Sequence, residues 1–490
     1  MGTHTPGRRR RLGGRRLGVT RIVFFVAAAA GPLFAIAGGV PTTYAVTGNV
    51  GVPLSFALLT PVLALFAVGY AAMSRYVTNA GAFYPYVANG IGGSPAVAVS
   101  FVTIVAYSAI QISIYGMFGW SVSNWARELF GIGLPWGFCA LVMVLVIGLL
   151  GILKIDLNSK FLGVALGLEV LVIVIMDIAL LAHPARGGGA LTSLTPDSLL
   201  NAGAGAVFAF SIVAFIGIEG AATYGEESPR PSRTVGRATF IVIGVTAVLY
   251  FVSSLAMAVA TGPGDIVGES RRQGPELLFV LAGRHFGEVF CEVVYLLFIT
   301  SQFASLLSLH NLVARHFFAL GREGLLPRSL SRTNRRTGAP LAGSVTQSVL
   351  ALVVVAVFAL AGLDPVSDLF AWLGTTASAG VVIIMIAVSW SVVGFFHRRK
   401  EDETFWRRAL APSLAAVVLT ALLVAIVVNF DVLLGRAGTG PLRWILPGLL
   451  LVVAVAGFLR GELLRTRSPE VYAGIGGVPE TRAKTPEPIR

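Results

Sequence analysis

Twelve apolar stretches, each close to the roughly 20 residues a helix needs to cross a hydrocarbon core, constrain this chain more than any other feature. They fall at roughly 20–46, 53–74, 96–122, 136–153, 161–182, 199–223, 238–261, 285–313, 341–362, 366–396, 410–430 and 442–460. The segments between them are short, so no soluble domain fits between spans. Only 12% of the residues are charged and 55% are hydrophobic, whereas a soluble domain carries about 25% charged residues. Lipid offers the backbone no hydrogen-bond partners, so long apolar runs read as helices. The expected fold class is therefore an all-α membrane protein with twelve transmembrane helices.

The net charge of +13 would suit nucleic acid if it were clustered on a soluble face. Instead the basic residues sit in short segments between apolar runs, which is how orientation in a membrane is encoded. With both termini cytoplasmic, only Arg127, Arg186, Arg271, Arg272, Arg284, Arg436 and Arg443 of the 37 Lys/Arg face outward. That asymmetry predicts an even number of spans with both ends in the cytoplasm, and no nucleic-acid partner. Arg8 to Arg11, Arg15 and Arg16 precede the first apolar run as in a signal peptide. The run continues to about Val46 and many spans follow, so an uncleaved first span is expected. Residues 1–18 and 461–490 are rich in charge, Pro and Gly, and read as disordered cytoplasmic tails. Cys139 and Cys291 lie in or beside apolar segments, so no disulfide framework is indicated. No Cys/His cluster has metal-ligand spacing, no catalytic constellation or cofactor is expected, and no P-loop points to ATP-driven transport.

Two of the twelve runs carry features that an unbroken helix avoids. The first contains Gly31-Pro-Leu-Phe-Ala-Ile-Ala-Gly-Gly-Val-Pro41, and the sixth holds Gly217, Glu219 and Gly220 before a charged loop. Proline removes a donor and clashes with the preceding turn, and a carboxylate at bilayer depth is costly unless it lines a cavity. Paired interruptions in corresponding halves of a chain point to an inverted-repeat transporter's binding site. Packing kinks are the alternative, because glycine lets helices approach closely. Unwinding frees backbone groups: the half-helix that follows a break presents a positive end to a carboxylate, and freed carbonyls suit an ammonium or a cation. A bent pair of helices thus holds both charged ends of an amino acid without a charged side chain.

At these residues the sequence resembles the amino acid–polyamine–organocation superfamily of permeases, whose fold is that of the bacterial leucine transporter. Phe215-Ile-Gly-Ile-Glu219 with Glu226-Glu-Ser-Pro-Arg-Pro-Ser-Arg233 is similar to the family's sixth-span signature. Tyr70 through Arg75 and Asn79 through Tyr86 resemble its second-to-third-span connection, and Asn311 through Ala319, Gly321 through Pro327 and Gly338-Ala-Pro340 its eighth-span exit. The match covers about residues 19–460. It implies two inverted repeats of five spans (about 19–183 and 199–396) plus two C-terminal helices (about 410–460), with helices 1 and 6 broken. The family's first-span break usually reads Gly-Ser/Ala-Gly-Ile-Phe; here the aligned residues are about Phe34 to Gly38, with Pro32 just before, a departure that bears on substrate size.

By this resemblance the backbone of Ala35, Ile36, Ala37 and Gly38 holds a substrate carboxylate, and Ala214, Phe215 and Ile216, with Gly217 in the same break, supply carbonyls for the ammonium. Tyr107 and Gln111, one turn apart on the third span, face the site or hydrogen-bond between helices. Glu219 is a gate or ties the unwound segment together. Glu169 stands near where some relatives carry a lysine that replaces a sodium ion; it carries a coupling proton or makes a structural hydrogen bond. Asp177 reads as interfacial. Ser301, Ser305 and Ser308 coordinate an ion or simply join helices, and His310 with Asn311 reads as a packing pair. The expected function is a secondary active permease for amino acids or related amines in the plasma membrane, proton-coupled, working by alternating access. An exchanger or a sodium-coupled symporter of the same fold is the alternative; a channel or membrane enzyme is more distant. Substrate identity and oligomeric state stay open.

Overall fold

The computed structural model describes residues 19–77, 83–153, 159–185, 191–201, 203–217, 231–399, 401–435 and 440–477. Among them every regular element is helical, and ten helices are long and apolar enough to cross a membrane. Among the described residues, the first and sixth apolar runs hold no single helix of spanning length.

The chain opens with α1 (Val19–Ala30), then α2 (Pro32–Phe34), a π-helical turn (Ala35–Gly39) and α3 (Val40–Thr47). Next come α4 (Val52–Met73), the short α5 (Tyr84–Gly90), the long α6 (Gly93–Phe130), α7 (Trp136–Leu153) and α8 (Ser159–Ala182). A short α9 (Pro196–Leu199) precedes α10 (Ala204–Val213). The second half holds α11 (Pro231–Thr261), α12 (Ile266–Gln273), α13 (Leu277–Glu323) and α14 (Leu341–Leu360). It ends with α15 (Ala371–Arg398), α16 (Ala411–Val428), α17 (Phe430–Leu433), α18 (Leu442–Arg467) and α19 (Pro469–Ala473).

Two groups of helices position the interior. The long α6 packs against α7, α13, α15 and α18, while α11 packs against α1, α4 and α8. The outward faces are as apolar as the core: Leu145, Val248, Leu451 and Val452 are each more than 60% exposed. Lipid is no less apolar than leucine, so helix association depends on close packing instead. Gly457 shows the consequence, since a Cβ there would stand 2.7 Å from the Ala98 backbone where α18 crosses α6.

The expected C-terminal tail is corrected in part. Residues 461–467 continue α18, and 468–477 fold back onto the protein. Tyr472 packs on Gly93 and lies 3.3 Å from the Ser94 hydroxyl, the Gly476 amide donates to the Tyr84 hydroxyl at 3.2 Å, and Tyr84 in turn donates to Glu323. Composition alone hid this, because the apolar anchors Tyr472 and Ile475 are few and stand among glycines. Residues 1–18 and 478–490 lie outside the described residues.

Candidate functional site

The α-helical run that begins at Val19 is interrupted at Gly31. Its φ of 56° and ψ of 70° are left-handed, a conformation that costs a residue with a Cβ roughly 1–2 kcal/mol. The discontinuity lies at Gly31, the first residue of the Gly31–Pro41 stretch and three residues before the family-aligned Phe34–Gly38, and Ala35–Gly39 form a π-turn. Within it the amide of Ala35 donates to the Gly31 carbonyl at 2.8 Å and that of Val40 to the Ala35 carbonyl. Ala35, Ile36, Ala37 and Gly38 are all buried. The Gly38 carbonyl accepts from the Thr42 hydroxyl at 2.7 Å, and a Cβ on Gly38 would sit 3.3 Å from the Met117 methyl and 3.5 Å from the Phe34 ring. π-Turns inside helices recur at functional sites because they re-aim a backbone group without ending the helix.

What the resumed helix presents is the Leu33 amide, since Pro32 has none. That amide donates to Glu169 Oε2 at 3.3 Å, and the Ser301 hydroxyl donates to the same oxygen at 2.9 Å. Glu169 is 6% exposed. The positive end of the resumed helix therefore holds a carboxylate of the chain's own, just ahead of the Ala35–Gly38 stretch expected to hold a substrate carboxylate. An isolated carboxylate in hydrocarbon would cost several kcal/mol; the helix end and two donors offset part of this. Ser305 completes the contact: a Cβ on Gly31 would stand 2.5 Å from its hydroxyl, which is buried and has no hydrogen-bond partner among the described residues. Ser308 is half-buried further along α13.

The second interruption follows α10. Ala214, Phe215, Ile216 and Gly217 form a turn tightened by amide–carbonyl bonds three residues apart, Phe215 to Ile212 and Ile216 to Val213, each 3.0 Å. Gly217 has a φ of 111°, so here too the chain uses a conformation that favours glycine. Glu219 lies outside the described residues. The Phe215 ring packs on Phe56 at 6.1 Å and on Tyr250 at 5.5 Å between centroids. Tyr250 is fully buried on α11, its ring packed against Phe56 and Phe215.

The third-span pair divides. Tyr107 is buried on α6. Gln111 is engaged on every side: its Nε2 donates to the Tyr115 hydroxyl at 3.2 Å and meets His310 Nδ1 at 3.3 Å, while its Oε1 accepts from Gln347 Nε2 at 2.5 Å. Ser108 donates to Gln347 Oε1 at 2.8 Å, and His310 Nε2 lies 2.7 Å from the Ser344 hydroxyl. A neutral imidazole that accepts at Nδ1 and donates at Nε2 fits both of its contacts. The network links α6, α13 and α14; of the two roles expected for Gln111, its hydrogen bonds here serve the interhelical one. His310 belongs to this network rather than to a simple packing pair. Nothing in the local sequence pairs residue 111 with 310 or 347; only the packing does.

Asp177, five residues before the end of α8, is 5% exposed within the protein and accepts from the Ser253 hydroxyl at 2.7 Å. Its surroundings are hidden from sequence because Ser253 lies on a different helix. Cys139 and Cys291 are free thiols.

A bundle of long apolar helices, with small residues at its crossings and a polar interior at two interruptions, defines an integral membrane protein of the transporter type. A family model described as amino acid permease matches residues 17–455, and the chain belongs to that family. It is also similar to the branched-chain amino acid permease BcaP of Lactococcus lactis subsp. cremoris (strain MG1363), at 24% identity over 406 residues that span 79% of this chain and 83% of the relative. The protein is thus an amino acid transporter and not an enzyme.

Proposed function

We propose that this protein is a secondary active permease that moves neutral amino acids with apolar side chains, together with a proton carried by Glu169. The observation that carries the reading is the Glu169 carboxylate seated on the Leu33 amide at the first interruption. An ionised Glu169 competes with a substrate carboxylate for the same helix end. Protonation removes that competitor, so proton and substrate favour each other's binding, which is the linkage a symporter needs. The backbone around Gly31 to Gly38 then holds the carboxylate, and the turn at 214–217 offers carbonyls to the ammonium. Phe34, Met117 and Phe215 around these segments suit an apolar side chain, as does the branched-chain substrate named for the relative. The Gln111 network makes Gln111 an organiser of the surrounding helices, with Tyr107 on the same stretch of α6.

In this reading α1 to α3 form one span and the run through α10 another. That makes twelve spans in the plasma membrane, both termini cytoplasmic, arranged as two inverted repeats plus α16 and α18. Alternating access rocks the two interrupted spans against the α6-centred group, with Glu219 at the second break as a gate. A sodium-coupled reading has one observation in its favour, the unpartnered Ser305 hydroxyl beside Ser301 and Gly31.

Purified protein in liposomes, given labelled amino acids with and without a pH gradient, tests both. Accumulation driven by the pH gradient in wild type, with exchange but no accumulation in Glu169→Gln, is the expected result. Accumulation that needs sodium and ignores the pH gradient would reject proton coupling in favour of the serines.

A further inference from the structure

The segment that joins α13 to α14 carries Arg328, Arg332, Arg335 and Arg336, and residues 324–363 contain no Asp or Glu. All four side chains are exposed, and among the described residues none of them makes an ion pair. Like charges crowded into a short connection repel and extend it, yet this one is folded. A 3-10 turn (Arg328–Ser331) lies against the last turn of α13, where a Cβ on Gly321 would stand 2.9 Å from the Ser331 nitrogen. Further on, the Asn334 amide donates to the Ala339 carbonyl and the Gly338 amide to the Asn334 carbonyl, each at 2.8 Å. These two bonds close a tight turn with Arg335 and Arg336 at its tip. The Thr337 hydroxyl and the Asn334 side-chain amide both donate to the Ile152 carbonyl, at 3.1 and 3.4 Å, tying the turn to the end of α7. The Ala342 amide donates to the Arg332 carbonyl at 3.3 Å and ties it to the start of α14. Arg460 of α18 donates to the Leu325 carbonyl at 3.4 Å, which brings a further guanidinium to the root of the segment.

The last turns of α7 pack on the first turns of α14. A Cβ on Gly148 would stand 2.5 Å from the Ser348 hydroxyl, and one on Gly151 3.0 Å from that of Ser344. Both helices are of spanning length, so their shared end sets the arginine turn at the membrane surface, level with lipid headgroups. On these same turns Leu149 and Leu153 of α7 and Val345 and Val349 of α14 are exposed. An apolar surface therefore adjoins the charged one. We propose that this turn is a docking surface for an anionic phospholipid, its phosphate on the guanidinium groups and its acyl chains along α7 and α14. Guanidinium offers phosphate a planar fork of donors. Charge complementarity selects a lipid of net negative charge, because the ammonium of a zwitterionic headgroup would meet the same unpaired arginines. A soluble phosphate ester would satisfy the arginines but leave the apolar faces unused. The competing role is a solvated basic segment that orients the chain during insertion; that role needs charge but not the ties to Ile152 and Arg332.

The test is a titration of the purified protein in detergent with phosphatidylglycerol or phosphatidylcholine of the same short acyl length, read by melting temperature. Phosphatidylglycerol should stabilise the wild type at lower concentration than phosphatidylcholine. Each arginine at an anionic lipid surface contributes about fivefold in affinity, so Arg335→Gln with Arg336→Gln should raise the phosphatidylglycerol midpoint by more than about tenfold. Arg328→Gln with Arg332→Gln should do the same. Arg399→Gln with Arg408→Gln removes equal charge from two other exposed positions and should leave the midpoint in place. Without lipid, the two turn variants should melt as the wild type does, since their exposed side chains form no ion pair; a lower melting temperature there would assign them a structural role and overturn the proposal. Equal midpoints for the two lipids overturn it, and so does equal weakening in the Arg399/Arg408 control, which would mean a diffuse charge effect. Glycerol phosphate, which has no acyl chains, should not stabilise the protein; if it matches phosphatidylglycerol, the occupant is a soluble phosphate and lipid docking is rejected.

Discussion

Gly31 sets the position of Glu169, and two properties make it hard to replace. Its left-handed backbone and the Ser305 hydroxyl 2.5 Å from a Cβ position act together. Gly31→Val should cost about 1–3 kcal/mol from the backbone alone, seen as a lower melting temperature in detergent, and should abolish uptake. Pairing it with Ser305→Ala removes the clash but not the strain, so stability should return only in part. Gln111 makes the opposite case. Gln111→Leu leaves His310, Gln347 and Tyr115 each short of a partner, at about 1–3 kcal/mol per stranded group. Melting temperature should fall while KM for the transported amino acid stays unchanged; a raised KM with normal stability would return Gln111 to the binding site.

Among the elements, α10 and its terminal turn matter most for function. Gly217 sits at a φ of 111°, where a β-branched residue is strained. Gly217→Val should abolish uptake with insertion intact, as judged by membrane yield. Gly38 differs: its backbone is ordinary and its nearest neighbour is the flexible end of Met117, 3.3 Å from a Cβ. Gly38→Ala should therefore fold normally, and its effect on transport reads the space available to the substrate. The fold-back segment through α19 is another element with a measurable role. Deleting residues 468–490 removes the Tyr472 and Gly476 contacts, and each kcal/mol lost should lower the melting temperature by at most a few degrees in a protein of this size. An unchanged melting temperature would show that this segment contributes nothing to stability.

On the scale of the whole molecule, the expected topology is open to a direct test. In a background with Cys139 and Cys291 replaced, a cysteine at the exposed Leu191 should react with an impermeant reagent from outside. One at Asp402 should react only after the membrane is opened. Reversal of the two would overturn the charge-based orientation.

The residues alone determined the class of this protein. Runs of spanning length, sparse charge and two glycine-marked interruptions are properties of local composition, and lipid leaves such a chain no fold but helices. Glu169 was legible as a candidate for the same reason, a carboxylate with no local reason to be in an apolar run. Tertiary structure decided the rest. It gave the Leu33 amide to Glu169, drew Gln111 into a network with His310 and Gln347, and buried Asp177 against Ser253. Each of these rests on a contact between helices far apart in sequence, where periodicity and composition carry no signal. The partner of a buried polar group is chosen by packing, and packing is a property of the assembled molecule.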